Sequence, residues 1–117
     1  MDIEKKSGVY GIYVNGELVY IGSTTRTFGV RFIEHRERMI KGYKKQKNLY
    51  DYLRQRFAEG ANIQLIPMVV IEDLKIKGKC ITKRDVKIME LAFINFYLPR
   101  CNVEGIKTPF LIPYAEN

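Results

Sequence analysis

Residues 8–22, Gly8-Val9-Tyr10-Gly11-Ile12-Tyr13-Val14-Asn15-Gly16-Glu17-Leu18-Val19-Tyr20-Ile21-Gly22, decide how this chain folds. Val, Ile and Tyr crowd both sides of Asn15-Gly16, and Asn-Gly readily takes the left-handed backbone that a tight hairpin turn requires. Residues 7–14 and 17–22 therefore read as two arms of one β-hairpin. Loop length then sets which side chains share a face. A two-residue turn pairs Tyr10 with Ile21 and sends Tyr10 and Tyr20 to opposite faces, because side chains alternate with a period of two. A three-residue loop, Val14-Asn15-Gly16 with Gly16 left-handed, pairs Tyr10 directly with Tyr20. The second register is expected, since it brings the two phenols together.

Beyond the hairpin the apolar period changes from two to 3.6. Residues 27–40 read as a helix with Phe28, Phe32 and Met39 in one stripe, His35 falling inside it, and Gly42 as its stop. A second helix is expected over 47–58, with Leu49, Tyr50, Leu53 and Phe57 inward and Gly60 at its end. Residues 62–71 read as a strand whose Pro67 confines it to an edge or a bulge. Thr82 and Asp85 resemble a capping box opening a third helix over 82–97, followed by Pro99. That helix is apolar nearly all round and is expected to be the most buried one. The order β-β-α-α-β-α gives an α/β chain of the α+β kind: a small sandwich, a three-stranded antiparallel sheet flanked by three helices, with 1–117 as a single domain.

Composition narrows the partners. The chain of 117 residues is 46% hydrophobic and 28% charged, which is ordinary for a globular protein. No apolar run approaches the roughly 18 residues that span a bilayer, so no membrane partner is expected. Residues 1–6 lack the apolar stretch of a secretory signal, and Cys80 and Cys101 have no metal-ligand spacing; a reduced pair in a cytoplasmic protein is the expectation. The net charge of +7, with a pI near 9.5, favours a polyanionic partner. Half of the 20 Lys and Arg fall between Arg26 and Arg56. Among them Arg26, Arg31, Arg38, Lys44, Lys45 and Lys47 are the candidates for nucleic-acid contact, interleaved with Tyr43, Tyr50 and Tyr52 as a surface that pairs with phosphates and stacks on bases.

Three positions carry candidate chemistry on their own. Glu90 lies on a helical wheel between Val86, Phe93, Ile94 and Tyr97, where an unpaired carboxylate would cost several kcal/mol. Its burial is offset either by an arginine or hydrogen-bond partner or by a divalent metal, and a hard cation suits one carboxylate plus waters and a phosphate. Arg31 and His35 stand four residues apart on one helix face. The guanidinium can fork onto phosphate oxygens, and the imidazole, unless it is only a satisfied core residue, can move a proton near neutral pH. Asn102 by itself reads as a turn residue.

Taken together and in order, these elements resemble the GIY-YIG nuclease superfamily over roughly residues 7–104. Gly8-Val9-Tyr10 is similar to the first motif and Tyr20-Ile21-Gly22, followed by Ser23, to the second. Arg31-Phe32-Ile33-Glu34-His35 is similar to the helix carrying an Arg and, four residues later, a His. Glu90 resembles the metal-binding Glu, and Leu98-Pro99-Arg100-Cys101-Asn102-Val103 the closing motif of the excision-repair nucleases of this superfamily.

The resemblance implies an endonuclease that hydrolyses phosphodiester bonds of DNA with Mg²⁺ or Mn²⁺. It implies Glu90 as the metal ligand, Tyr10 as general base or water-orienting group, and Tyr20 bracing it. Arg31 would neutralise the phosphate, His35 would bond to Tyr10 or assist proton transfer, and Asn102 would orient the site. Base action by Tyr10 requires its phenol to be shifted down by the metal and Arg31. The alternative is a catalytically decayed member that binds DNA or RNA without cutting; an interaction protein whose basic face meets an acidic partner is a third reading. Sequence preference is expected from a homodimer, a partner protein or the basic loop over 72–81, or is absent.

Overall fold

The hairpin turn is the two-residue form. In the computed structural model, which describes residues 2–74 and 80–105, Asn15 and Gly16 both take positive φ (51° and 84°), as a tight turn between twisted strands requires. Strands β1 (Gly8–Val14) and β2 (Glu17–Thr24) pair antiparallel from Val14 opposite Glu17. Tyr10 lies opposite Gly22, and Tyr20 opposite Ile12, so the expected direct pairing of Tyr10 with Tyr20 does not form. The phenols nevertheless share a face. Val19 is an extra residue in β2 between the pairs Tyr13–Leu18 and Ile12–Tyr20, and this bulge resets the alternation that a plain two-residue turn would have imposed.

Strand β3 (Ile63–Val70) pairs antiparallel with β1, giving the sheet order β2-β1-β3. Pro67 sits on this edge strand next to a second register shift, where its missing N–H disturbs little. The sheet is covered on both faces. Helices α1 (Phe28–Lys41) and α2 (Lys47–Ala58) bury Phe28, Met39, Leu49, Tyr50 and Leu53 against Tyr10, Ile12, Val14 and Val19. On the other face α3 (Lys83–Tyr97) lays Val86 and Ile94 on Val9 and Ile21. The expected three-stranded antiparallel sheet flanked by helices is thus the fold observed.

Local chemistry sets the helix ends. The Thr27 hydroxyl accepts from the Val30 N–H to start α1, and Gly42 at φ 80° ends it. Thr82 and Asp85 form a reciprocal capping box at the start of α3. Two expectations for the helices fail. Phe32 and Phe57 are 39% and 59% exposed instead of inward. Helix α3 is not the most buried: Ile88, Leu91, Phe96 and Tyr97 face outward, because a helix laid on a flat sheet face covers only one stripe. A short helix, α4 (Arg100–Gly105), follows Pro99 where a turn was expected, and it packs on α2 and β2. The basic loop around Gly78 and the residues beyond 105 lie outside the described residues. Among those described, no helix is long and apolar enough to cross a membrane.

Candidate functional site

Tyr10 is at the centre of the site. Its ring is fully buried, and its hydroxyl lies 2.6 Å from His35 Nε2 and accepts from Arg31 Nε at 3.1 Å. Arg31 and His35 reach the same oxygen because they stand one turn apart on α1. The other imidazole nitrogen, Nδ1, lies 2.7 Å from the Tyr50 hydroxyl on α2. Tyr20 presents its ring edge-on to His35 with centroids 6.0 Å apart, and its hydroxyl accepts from Gln46 Nε2 at 3.0 Å. Both motif tyrosines therefore meet at His35. Gly22 makes room for this. A Cβ built there would stand 2.5 Å from the Tyr10 hydroxyl oxygen and 3.0 Å from the Tyr20 ring, so the glycine lets a phenol lie across the strand.

Glu90 is buried on α3, as its place in the apolar arc implied, and its partners are not arginines. The Ser23 hydroxyl donates to one carboxylate oxygen, and Lys87 Nζ donates to the other at 2.9 Å. Ser23 is the residue that follows Tyr20-Ile21-Gly22, so the second motif delivers a phenol to one side and a hydroxyl to the carboxylate. The Glu90 charge is felt at Tyr20, where it adds to the burial that raises that phenol. A single carboxylate whose cationic partner is a mostly exposed, flexible lysine suits a hard cation completed by waters and a phosphate. Among the described residues no group of three or more His, Cys, Asp or Glu converges.

Asn102 closes the far end of the site. β2 is an edge strand, and the Ile21 N–H and C=O face away from β1. The Asn102 side chain satisfies both: Oδ1 accepts from Ile21 N at 2.7 Å, and Nδ2 donates to Ile21 O at 3.0 Å. One amide thus does what a further strand would do. Asn48 on α2 in turn donates to the Cys101 carbonyl at 2.6 Å, which anchors α4.

The basic candidates fall into two groups. Glu34 bridges Arg26 and Arg31 on the α1 side of Tyr10. The Arg38 guanidinium lies 4.3 Å over the Tyr43 ring. Lys44 and Lys45 stand exposed between α1 and α2, and Lys47, exposed at the start of α2, pairs with Asp51 at 2.8 Å. Sequence reasoning did not mark Glu34, Gln46 or Tyr50 as site residues. Glu34 carried a signal in its i+3 spacing from Arg31; Gln46 sits in a single 3₁₀ turn and carried none. A cavity of about 230 Å³ on the opposite flank of α1, lined by Phe32, Met39, Leu53 and Phe57, shares only His35 with this cluster.

Burial sets the protonation of the cluster. It raises the Tyr10 phenol, and the nearby Tyr20 adds to the rise, while Arg31 opposes it with its charge and hydrogen bond. The shift is the reverse of the one expected for a base. Burial likewise pushes His35 down to about 3, helped by the charges of Arg31 and Arg38, so the imidazole is neutral at physiological pH. Because the unfolded chain binds this proton near the ordinary value of 6.5 and the folded chain does not, stability falls as pH drops from 6.5 toward 3. Between pH 6.5 and 5, above the carboxylate range, the loss approaches about 1.4 kcal/mol per unit. Urea unfolding should show this slope in the native chain and not in His35→Gln, which lacks the only histidine.

Comparison with known proteins follows the fold. A solved structure of a glutamate-to-alanine mutant of bacteriophage T4 EndoII is similar to this chain with a TM-score of 0.60 and 18% identity, over 82% of this chain and 73% of that one. No protein-family model and no curated protein matches the sequence.

Proposed function

We propose that the chain is a metal-dependent endonuclease that hydrolyses phosphodiester bonds of DNA. The observation that carries this reading is the convergence of Arg31 and His35 on the Tyr10 hydroxyl, with Tyr20 alongside. The motif resemblance and the likeness of fold to phage EndoII support the same class. Glu90 would hold Mg²⁺ or Mn²⁺, which supplies charge neutralisation at the scissile phosphate and its leaving oxygen. Tyr10 takes the proton of the attacking water, and His35 holds its oxygen in place. Arg31 has further N–H groups to turn onto phosphate oxygens as negative charge develops. Tyr20, braced by Gln46, bounds the site, and Asn102 fixes the strand that carries it. Arg26, Arg38, Lys44, Lys45 and Lys47 would grip the flanking backbone.

The Lys87 ammonium on Glu90 favours a second reading, a member that binds DNA or RNA without cutting. A supercoiled plasmid separates the two. The endonuclease converts it to nicked or linear form with Mg²⁺ and stops on chelation. The binding module leaves it intact while holding it with an affinity that falls steeply with salt. Absence of both cutting and salt-dependent binding would remove nucleic acid as the partner.

A further inference from the structure

Tyr10, His35 and Tyr50 form a run of polar contacts between two guanidiniums. Arg31 Nε stands 3.1 Å from Tyr10 Oη, Tyr10 Oη 2.6 Å from His35 Nε2, and His35 Nδ1 2.7 Å from Tyr50 Oη. The Arg38 guanidinium lies beside the Tyr50 hydroxyl. The three central side chains are all buried.

A guanidinium can only donate, so the Tyr10 oxygen has a donor on its outer side, while the Arg38 cation acts at the Tyr50 end. That leaves two inner hydrogen bonds for three protons, one on each phenol and one on the neutral imidazole. Whichever tautomer His35 adopts, one hydroxyl proton is left over. It is Tyr10's when Nε2 carries the imidazole proton and Tyr50's when Nδ1 does. With one proton removed, every contact in the run joins a donor to an acceptor.

We propose that Tyr10, His35 and Tyr50 ionise as one unit holding a single negative charge between Arg31 and Arg38, with Tyr50 the positioning residue that makes Tyr10 available as a phenolate. Its use in catalysis rests on the endonuclease reading above. When the unit ionises, one proton goes to solvent. From the form with Tyr50 as phenolate, Tyr10 gives its proton to His35 Nε2 while Nδ1 gives its proton to Tyr50. The imidazole stays neutral throughout, and the charge arrives on Tyr10, which then takes a proton from the attacking water. Burial raises each phenol taken singly, even with Arg31 and Arg38 opposing it; what favours loss of one proton is the donor count of the coupled run, in which both phenols share a single charge. The groups facing the run from other elements are Tyr20 on β2, which disfavours the charge, and behind it Glu90 on α3, whose carboxylate acts on Tyr20. Tyr43 packs edge-on against Tyr50, and Glu34 draws on the charge of Arg31.

The test is a tyrosinate absorbance titration of the full chain without DNA. One of the eight tyrosines should ionise at least one pH unit ahead of the rest. That early step should vanish in both Tyr10→Phe and Tyr50→Phe. In single-turnover cleavage, Tyr50→Phe should move the rate–pH profile upward by at least one unit and leave the DNA dissociation constant unchanged. No early tyrosine in the native chain, or one that survives Tyr50→Phe, overturns the proposal. Should Tyr50→Phe fail to fold, Arg38→Gln takes its place: a higher onset supports the unit, and an unchanged onset overturns it. An early tyrosine in a chain that cuts nothing supports the unit and defeats the endonuclease reading alone.

Discussion

Glu90→Gln is expected to lower plasmid cleavage by about 10²–10³-fold or more while leaving DNA affinity unchanged. The size follows from what glutamine keeps and loses. It preserves the side-chain length and an oxygen for the Ser23 hydroxyl, so the packing between Val86 and Ile94 is retained. It removes the anion that Lys87 neutralises and that a divalent cation would need. Stability should change by less than about 1 kcal/mol, since the lysine partner is largely exposed. Single-turnover nicking, filter binding and urea unfolding together read all three quantities. Cleavage at the native rate would take Glu90 out of the chemistry.

The second large effect is on the fold. Asn102→Leu should destabilise the protein by about 2–6 kcal/mol, because it strands the Ile21 N–H and C=O, each worth about 1–3 kcal/mol when buried without a partner. Leucine keeps the branching and the number of side-chain heavy atoms while removing both hydrogen bonds, so the loss reports chiefly hydrogen bonding. Asn102→Asp should fall between the two. Its carboxylate can still accept from the Ile21 N–H, but it meets the Ile21 carbonyl with like charge. Chemical denaturation measures the series, and a Leu variant as stable as the native chain would show that the edge of β2 is satisfied by water.

The sequence made the motifs legible because each rests on local chemistry. Asn15-Gly16 marked the turn, and Thr82 with Asp85 marked the start of α3. Glu90 stood out because a carboxylate amid Val86, Phe93 and Ile94 needs an explanation. What escaped depends on neighbours distant in the chain. Val19 suits a bulge no more than it suits an ordinary strand position, so the register of β2 was misread. The apolar girth of α3 says how much surface wants covering and not how much the sheet offers, so its outward Ile88 and Phe96 came as a correction. Tyr50 was read both as inward and as part of a base-stacking surface; it is fully buried, which removes it from that surface, and its hydroxyl has a separate task the apolar period could not signal. α4 has six residues, too few to display a helical period, so Asn102 was placed in a turn.

The clamp on Ile21 joins residues 81 positions apart. A ribosome making this protein delivers both tyrosines, Arg31 and His35 long before the amide that fastens their strand. Nascent or prematurely released fragments therefore carry most of the candidate site without its final fastening. If the chain cleaves DNA, the order of synthesis itself delays the hazard until Asn102 has been made.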